Sequence, residues 1–229
     1  MSKTEDHIEP EHQQEGVVWD LPLRVFHWLL MASVIGSIVS AKIENMFLHE
    51  KFGLTVAGLV MFRIVWGIAG SHHARFSRFM VPPSAVISYI RARIAGARDH
   101  RPGHAPTGAY ATVVILLVLA AMAGLGMMSN DDVLYEGPLA AYVGDFTNMA
   151  STLHHRAEVV VFALIILHLA AILIYRVVFG IRLVPAMISG GTDPQARPVS
   201  RRHQIAGLVL MAALIGAMHL LSFLGNRFY

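Results

Sequence analysis

The stretch LHHRAEVVVFALIILH, residues 153–168, decides the architecture of the chain. It is an apolar run with His154 near one end and His168 at the other, fourteen residues apart. At ~100° per residue, fourteen steps make four turns less ~40°, so on a helix both imidazoles leave one face. A rise of ~1.5 Å per residue separates them by roughly 21 Å along the axis. A bilayer core is ~30 Å thick, so this spacing sets one imidazole near each membrane surface. His155 falls ~140° from His168 around the same helix and faces elsewhere.

Composition agrees with a membrane setting. Of 229 residues, 55% are hydrophobic and only 14% charged, against about 25% charged in a soluble domain. Mean hydropathy is +0.55. The absence of cysteine excludes disulfides, covalently attached haem, thiolate-bound iron–sulfur clusters and a thiol nucleophile. Thirteen histidines remain as candidate ligands. A net charge of +3 is too small to point to nucleic acid.

Four more apolar runs complete the expected bundle. The spans are Val25 to Ala41, about Leu48 to Ala69, Tyr110 to Met128, Ala157 to Tyr175 and Ile205 to Leu224. Residues 1–16 are polar and lack the basic start and apolar core of a signal peptide, so they read as a disordered tail. His7 and His12 lie in it. The 72–107 loop carries six arginines and one acid, and the 176–202 segment five arginines and one acid. Residues 129–153 carry four acids and no lysine or arginine. The positive-inside rule therefore sets the N-terminus in the cytoplasm and the C-terminus in the periplasm. Pro82-Pro83 and the residues after it read as a short interfacial helix. The 130–152 loop is long enough to cover one outer mouth of the bundle.

Placed by depth, the histidines pair. His27 and His168 belong near the inner surface, His49 and His154 near the outer one, each pair from two different spans. Two imidazoles on facing helices are what a low-spin haem b takes as axial ligands. A lone membrane histidine is commonly a packing residue. Four that match in depth are costly to keep without a use. Zinc needs ligands that converge, and pairs ~21 Å apart do not.

Arg63 follows His49 by fourteen residues, so it shares that face at the depth of the inner pair. A haem propionate suits its guanidinium; snorkelling to the headgroups is the bland alternative. Gly36, Gly53 and Gly58 are positions where a porphyrin could approach the backbone, or ordinary helix contacts. Glu158, one turn after His154, could orient an imidazole or pair with Arg156. His72, His73, His100, His104 and His203 read as solvated loop residues, and His219 has no evident partner.

DLPLRVFHW (20–28), LHEKFGL (48–54), FRIVWGIAGSHHARFSRF (62–79), PGHAPTGA (102–109) and the LHHRAE…LIILHLA arrangement of 153–170 together resemble the bacterial cytochrome b561 family. That group includes the cytochrome b subunits of nickel–iron hydrogenases. The resemblance extends over roughly residues 17–190 and implies a four-helix di-haem core, with His27 paired to His168 and His49 to His154. It also implies electron transfer between the membrane quinone pool and a redox partner at the outer surface. In such families that partner is a hydrogenase, another reductase or a cytochrome c; some members react with superoxide directly.

The expectation is thus an all-α transmembrane bundle of the bacterial inner membrane. A tail (1–16), a di-haem domain (17–190) and a linker with a fifth span (191–229) make up the chain. Two b haems, lipid, a quinone and a periplasmic redox protein are its expected company, with a second copy of the chain as a further candidate. A stand-alone superoxide oxidase, the alternative, would need a basic funnel at the outer surface; the acidic 130–152 loop argues against it, although Lys42, Lys51 and Arg156 are nearby. A non-redox transporter would be colourless, and inverted repeats are not evident.

Overall fold

A computed structural model describes residues 16–97, 103, 105–130, 135–193 and 196–225. In chain order the elements are β1 (Gly16–Val17), α1 (Leu21–Lys42), α2 (Met46–Ala69), α3 (Phe76–Phe79), α4 (Pro83–Ile94) and α5 (Pro106–Met127). There follow α6 (Ala140–Val143), α7 (Phe146–Val177), α8 (Leu183–Ser189), β2 (Thr192–Asp193) and α9 (Arg201–Gly225). Among the described residues five helices, α1, α2, α5, α7 and α9, are long and apolar enough to cross a membrane. The protein is an all-α multi-pass membrane bundle.

Polar residues set the helix starts earlier than the apolar runs do. Asp20 caps α1, its Oδ1 accepting from the Leu23 amide at 2.8 Å, with Pro22 in the first turn. Asn45 caps α2 in the same way through the Leu48 amide at 3.0 Å. Between α1 and α2 the chain reverses at Glu44, which takes φ +58°. The largest departure from expectation is α7. At 32 residues it is about 48 Å long, more than a bilayer core needs. Its first turns, FTNMAST, are polar and fall outside the apolar run.

The central helix is α2, which packs against α1, α9 and α5; α5 in turn carries α7. Over half of the apolar window of α2 is buried (56%), against 6% for α7. Leu59, Phe62 and Trp66 of α2 form the middle of the core with Leu23 and Phe26 of α1, Leu116 and Leu119 of α5, and Met211 of α9. The apolar surface left on α7 needs no protein partner, because lipid tails are as apolar as leucine.

Little direct packing joins α1 to α7. They are linked at their two ends instead. At the arginine-rich end, β1 pairs antiparallel with β2 (Gly16 opposite Asp193), and Arg24 and Trp28 donate to the Ile188 and Met187 carbonyls. At the acidic end, Lys42 Nζ lies 2.6 Å from Glu158 Oε1. The amphipathic α4 is present as expected. Its Tyr89 hydroxyl meets that of Tyr175 at 3.0 Å, and Arg93 covers the Phe179 ring at 3.9 Å.

Candidate functional site

At the acidic end the first turn of α2 and the N-terminal half of α7 bring two imidazoles edge to face. The ring centroids of His49 and His154 are 6.0 Å apart. His49 Nδ1 lies 2.9 Å from the Ser37 carbonyl oxygen, with the Ser37 hydroxyl at 3.2 Å. His154 Nδ1 lies 3.0 Å from the Met122 carbonyl oxygen. A carbonyl only accepts, so each Nδ1 carries the proton and donates, and each Nε2 keeps its lone pair for a ligand. Two imidazoles on opposite sides of one metal ion, with bonds of about 2 Å, put their ring centroids about 6 Å apart. The observed separation of 6.0 Å matches that distance.

A cavity with walls from α1, α2, α5 and α7 surrounds the pair. Val34, Ile38, Leu54, Leu119, Val161 and Phe162 give it an apolar lining, as a porphyrin ring requires. Ser129, Asn130 and Tyr135 line it from the α5–α7 connection, so the expected covering of this mouth is present in a shorter form. Of the three singled-out glycines, only Gly53 both lines this cavity and has open space where a Cβ would stand. Gly36 would meet the Phe52 ring at 2.7 Å and Gly58 the Ile215 backbone at 2.6 Å. Those two serve helix packing.

The arginine-rich end is less closed. His27 on α1 and His168 on α7 lie within electrostatic reach of each other, with no ring contact between them. His27 Nδ1 is buried and has no hydrogen-bond partner among the described residues. The His168 side is exposed in the protein alone. His154 and His168 do share one uninterrupted helix.

Arg63 does not snorkel. It is 1% exposed, its Nη1 donates to the Ala74 carbonyl at 3.1 Å, and its guanidinium lies 4.6 Å from the Phe76 ring centroid. Its Nη2 is buried without a partner among the described residues, an orphan donor suited to an anionic group. Next to it, the Asp20 carboxylate that caps α1 also accepts from Trp66 Nε1 at 3.0 Å.

Other sequence expectations change. Glu158 pairs with Lys42, not with Arg156. His219 has a partner: its Nε2 lies 3.1 Å from the Thr55 hydroxyl. His203 is not a solvated loop residue but lies in α9 with its ring tilted against Trp66, 4.8 Å between centroids. His72 Nδ1 is buried. The pKa of His72 is pushed down, first by burial and then by the positive charges of His73, Arg78, Arg197 and Arg75. His7, His12, His100 and His104 lie outside the described residues. Sequence reasoning missed Ser37, Asp20, Glu50 and Ser222. Of these Asp20, just before Leu-Pro and an apolar run, carries a readable N-cap signal.

Among the described residues no group of three or more His, Asp or Glu converges as a metal cluster would. What the fold does bring together is two imidazoles, those of His49 and His154, from two different membrane helices. The family model of prokaryotic cytochrome b561 matches residues 18–190, and the chain belongs to that family. No curated protein and no solved structure matches. As a member of the family, the chain is a membrane b-type cytochrome that binds haem b and takes part in electron transfer.

Proposed function

We propose that the chain holds two b haems, one between His49 and His154 and one between His27 and His168. It would carry electrons between the quinone pool and a redox partner on the periplasmic side of the bacterial inner membrane. The observation that carries the reading is the His49–His154 pair, with both Nδ1 atoms tied to main-chain carbonyls and neither Nε2 atom hydrogen-bonded among the described residues. The same stripe of α7 carries His168 roughly 21 Å further on, opposite His27 of α1. Haem iron supplies one-electron chemistry when bound. The chain's own part is to fix the ligands, exclude water and tune the environment. The Ser37 and Met122 carbonyls hold the ring orientations and raise the basicity of Nε2. Arg63, with Nη2 to spare, would hold a propionate of the second haem, and His27 Nδ1 would find a partner there or in water.

Orientation rests on the loops: the arginine-rich end faces the cytoplasm and the acidic end the periplasm. The domain reading keeps residues 17–190 as the di-haem unit and 191–229 as linker and fifth helix. A stand-alone superoxide oxidase gains no support at the acidic end. There, among the described residues, Lys42 and Lys51 pair with Glu158 and Glu50.

Reduction of the haems by a membrane quinol tests the proposal. In proteoliposomes, a quinol should reduce both haems, and an impermeant oxidant outside should reoxidise them. Haems that ignore quinol but respond to dithionite would contradict the quinone link.

A further inference from the structure

The fifth helix lies wholly beyond the family match, which ends at residue 190. It packs along α2, the helix that carries His49. At Gly58 the two backbones touch, since a Cβ there would stand 2.6 Å from Ile215 Cα. Toward the acidic end the contact turns polar. Ser222, fully buried, donates its hydroxyl hydrogen bond to Glu50 Oε1. One turn earlier, His219 Nε2 bonds the Thr55 hydroxyl at 3.1 Å. Glu50 immediately follows His49 and lines the same cavity. The last residue of α9, Gly225, abuts Pro138 in the connection that covers that cavity.

From this arrangement we infer that Ser222 and His219 are positioning residues, through which α9 fixes the rotation of α2 and so aims His49 at His154. The inference rests on the ligand pair proposed above.

The physical argument concerns leverage. A side-chain ring rides about 5–6 Å from its helix axis. A 10° turn of α2 therefore moves the His49 ring by roughly 1 Å, beyond the ~0.5 Å tolerance of a preorganised site. Apolar packing in lipid resists such a turn weakly, because sliding one apolar surface over another changes little. Two hydrogen bonds from one face of α9, three residues apart, resist it directly. The Ser222 hydroxyl is fully buried, so its bond has no water to exchange with. Both bonds lie on the half of α2 that carries His49. At the other end α9 meets α2 and α1 through the tilted ring contact of His203 with Trp66 and the close approach of Gly207 to Pro22 and Trp66.

The test is electron paramagnetic resonance of the oxidised, purified holoprotein, where each low-spin haem gives its own signal, read beside a haem count. Ser222→Ala with His219→Leu should leave two haems, shift the signal that His49→Ala abolishes, and leave the other in place. Ser222→Thr with His219→Gln, which keep the hydrogen-bonding groups, should restore the original signal. If the double variant leaves both signals unmoved, or moves both together, the positioning role is wrong. If His49→Ala abolishes neither signal, the ligand assignment fails and the inference falls with it.

Discussion

The His49 and His154 rings stand 6.0 Å apart at nearly right angles, each anchored through Nδ1 to a carbonyl of a different neighbouring helix. Neither anchor comes from the helix that carries the histidine: Ser37 belongs to α1 and Met122 to α5. The four helices of the core are therefore all committed to one site. Disturbing any of them should be felt there.

Gly53 and Gly36 separate cavity from packing. At Gly53 a side chain meets open space in the cavity. Gly53→Leu should fold, keep its helical circular dichroism and lose one haem. Gly36→Leu runs into Phe52 and should instead lower thermal stability by roughly 1–3 kcal/mol through overpacking. Haem content and melting curves in detergent distinguish the two.

Removing the Arg63 guanidinium leaves the Ala74 carbonyl without its donor. Arg63→Met should cost about 1–3 kcal/mol and lower occupancy of the haem that depends on His27 more than of the one that depends on His49. Arg63→Lys should recover little, since a point charge lacks the flat fork that lies over Phe76. Retention of both haems at full stability in Arg63→Met would remove Arg63 from the site.

Asp20 serves two donors, the Leu23 amide and Trp66 Nε1. Asp20→Ala should cost about 0.5–2 kcal/mol for the cap alone, plus the unpaired indole. A double-mutant cycle with Trp66→Phe measures the coupling. An additive result would mean that the carboxylate–indole bond adds nothing.

His72 gives a pH dependence with a defined sign. Its folded pKa is lowered by burial and neighbouring positive charge, so the unfolded chain binds the proton more readily. The penalty is absent above the unfolded value of about 6.5 and grows as pH falls below it. His72→Asn should flatten the decline of melting temperature between about pH 6.5 and 5. An unchanged slope would assign the decline to other groups.

The bundle was legible because apolar length is a local signal; α7 carries both His154 and His168 on one helix, and the His49 and His154 rings lie 6.0 Å apart. What the sequence hid was contact between distant segments. The partners of Glu158 and His219, Lys42 and Thr55, lie 116 and 164 residues away along the chain. The burial of Arg63 under Ala74 and Phe76 depends on how α3 folds back onto α2. The seven residues ahead of Leu153 in α7 were missed because they are polar, and hydropathy registers apolar length, not helix length.

The most direct test is a pyridine haemochrome assay on the purified, detergent-solubilised protein, with haem counted against chain. Two b haems per chain, falling to about one in His49→Ala and to about one in His27→Ala, is the expected result. One haem in the unaltered protein, unaffected by His27→Ala, would contradict the two-haem path across the membrane.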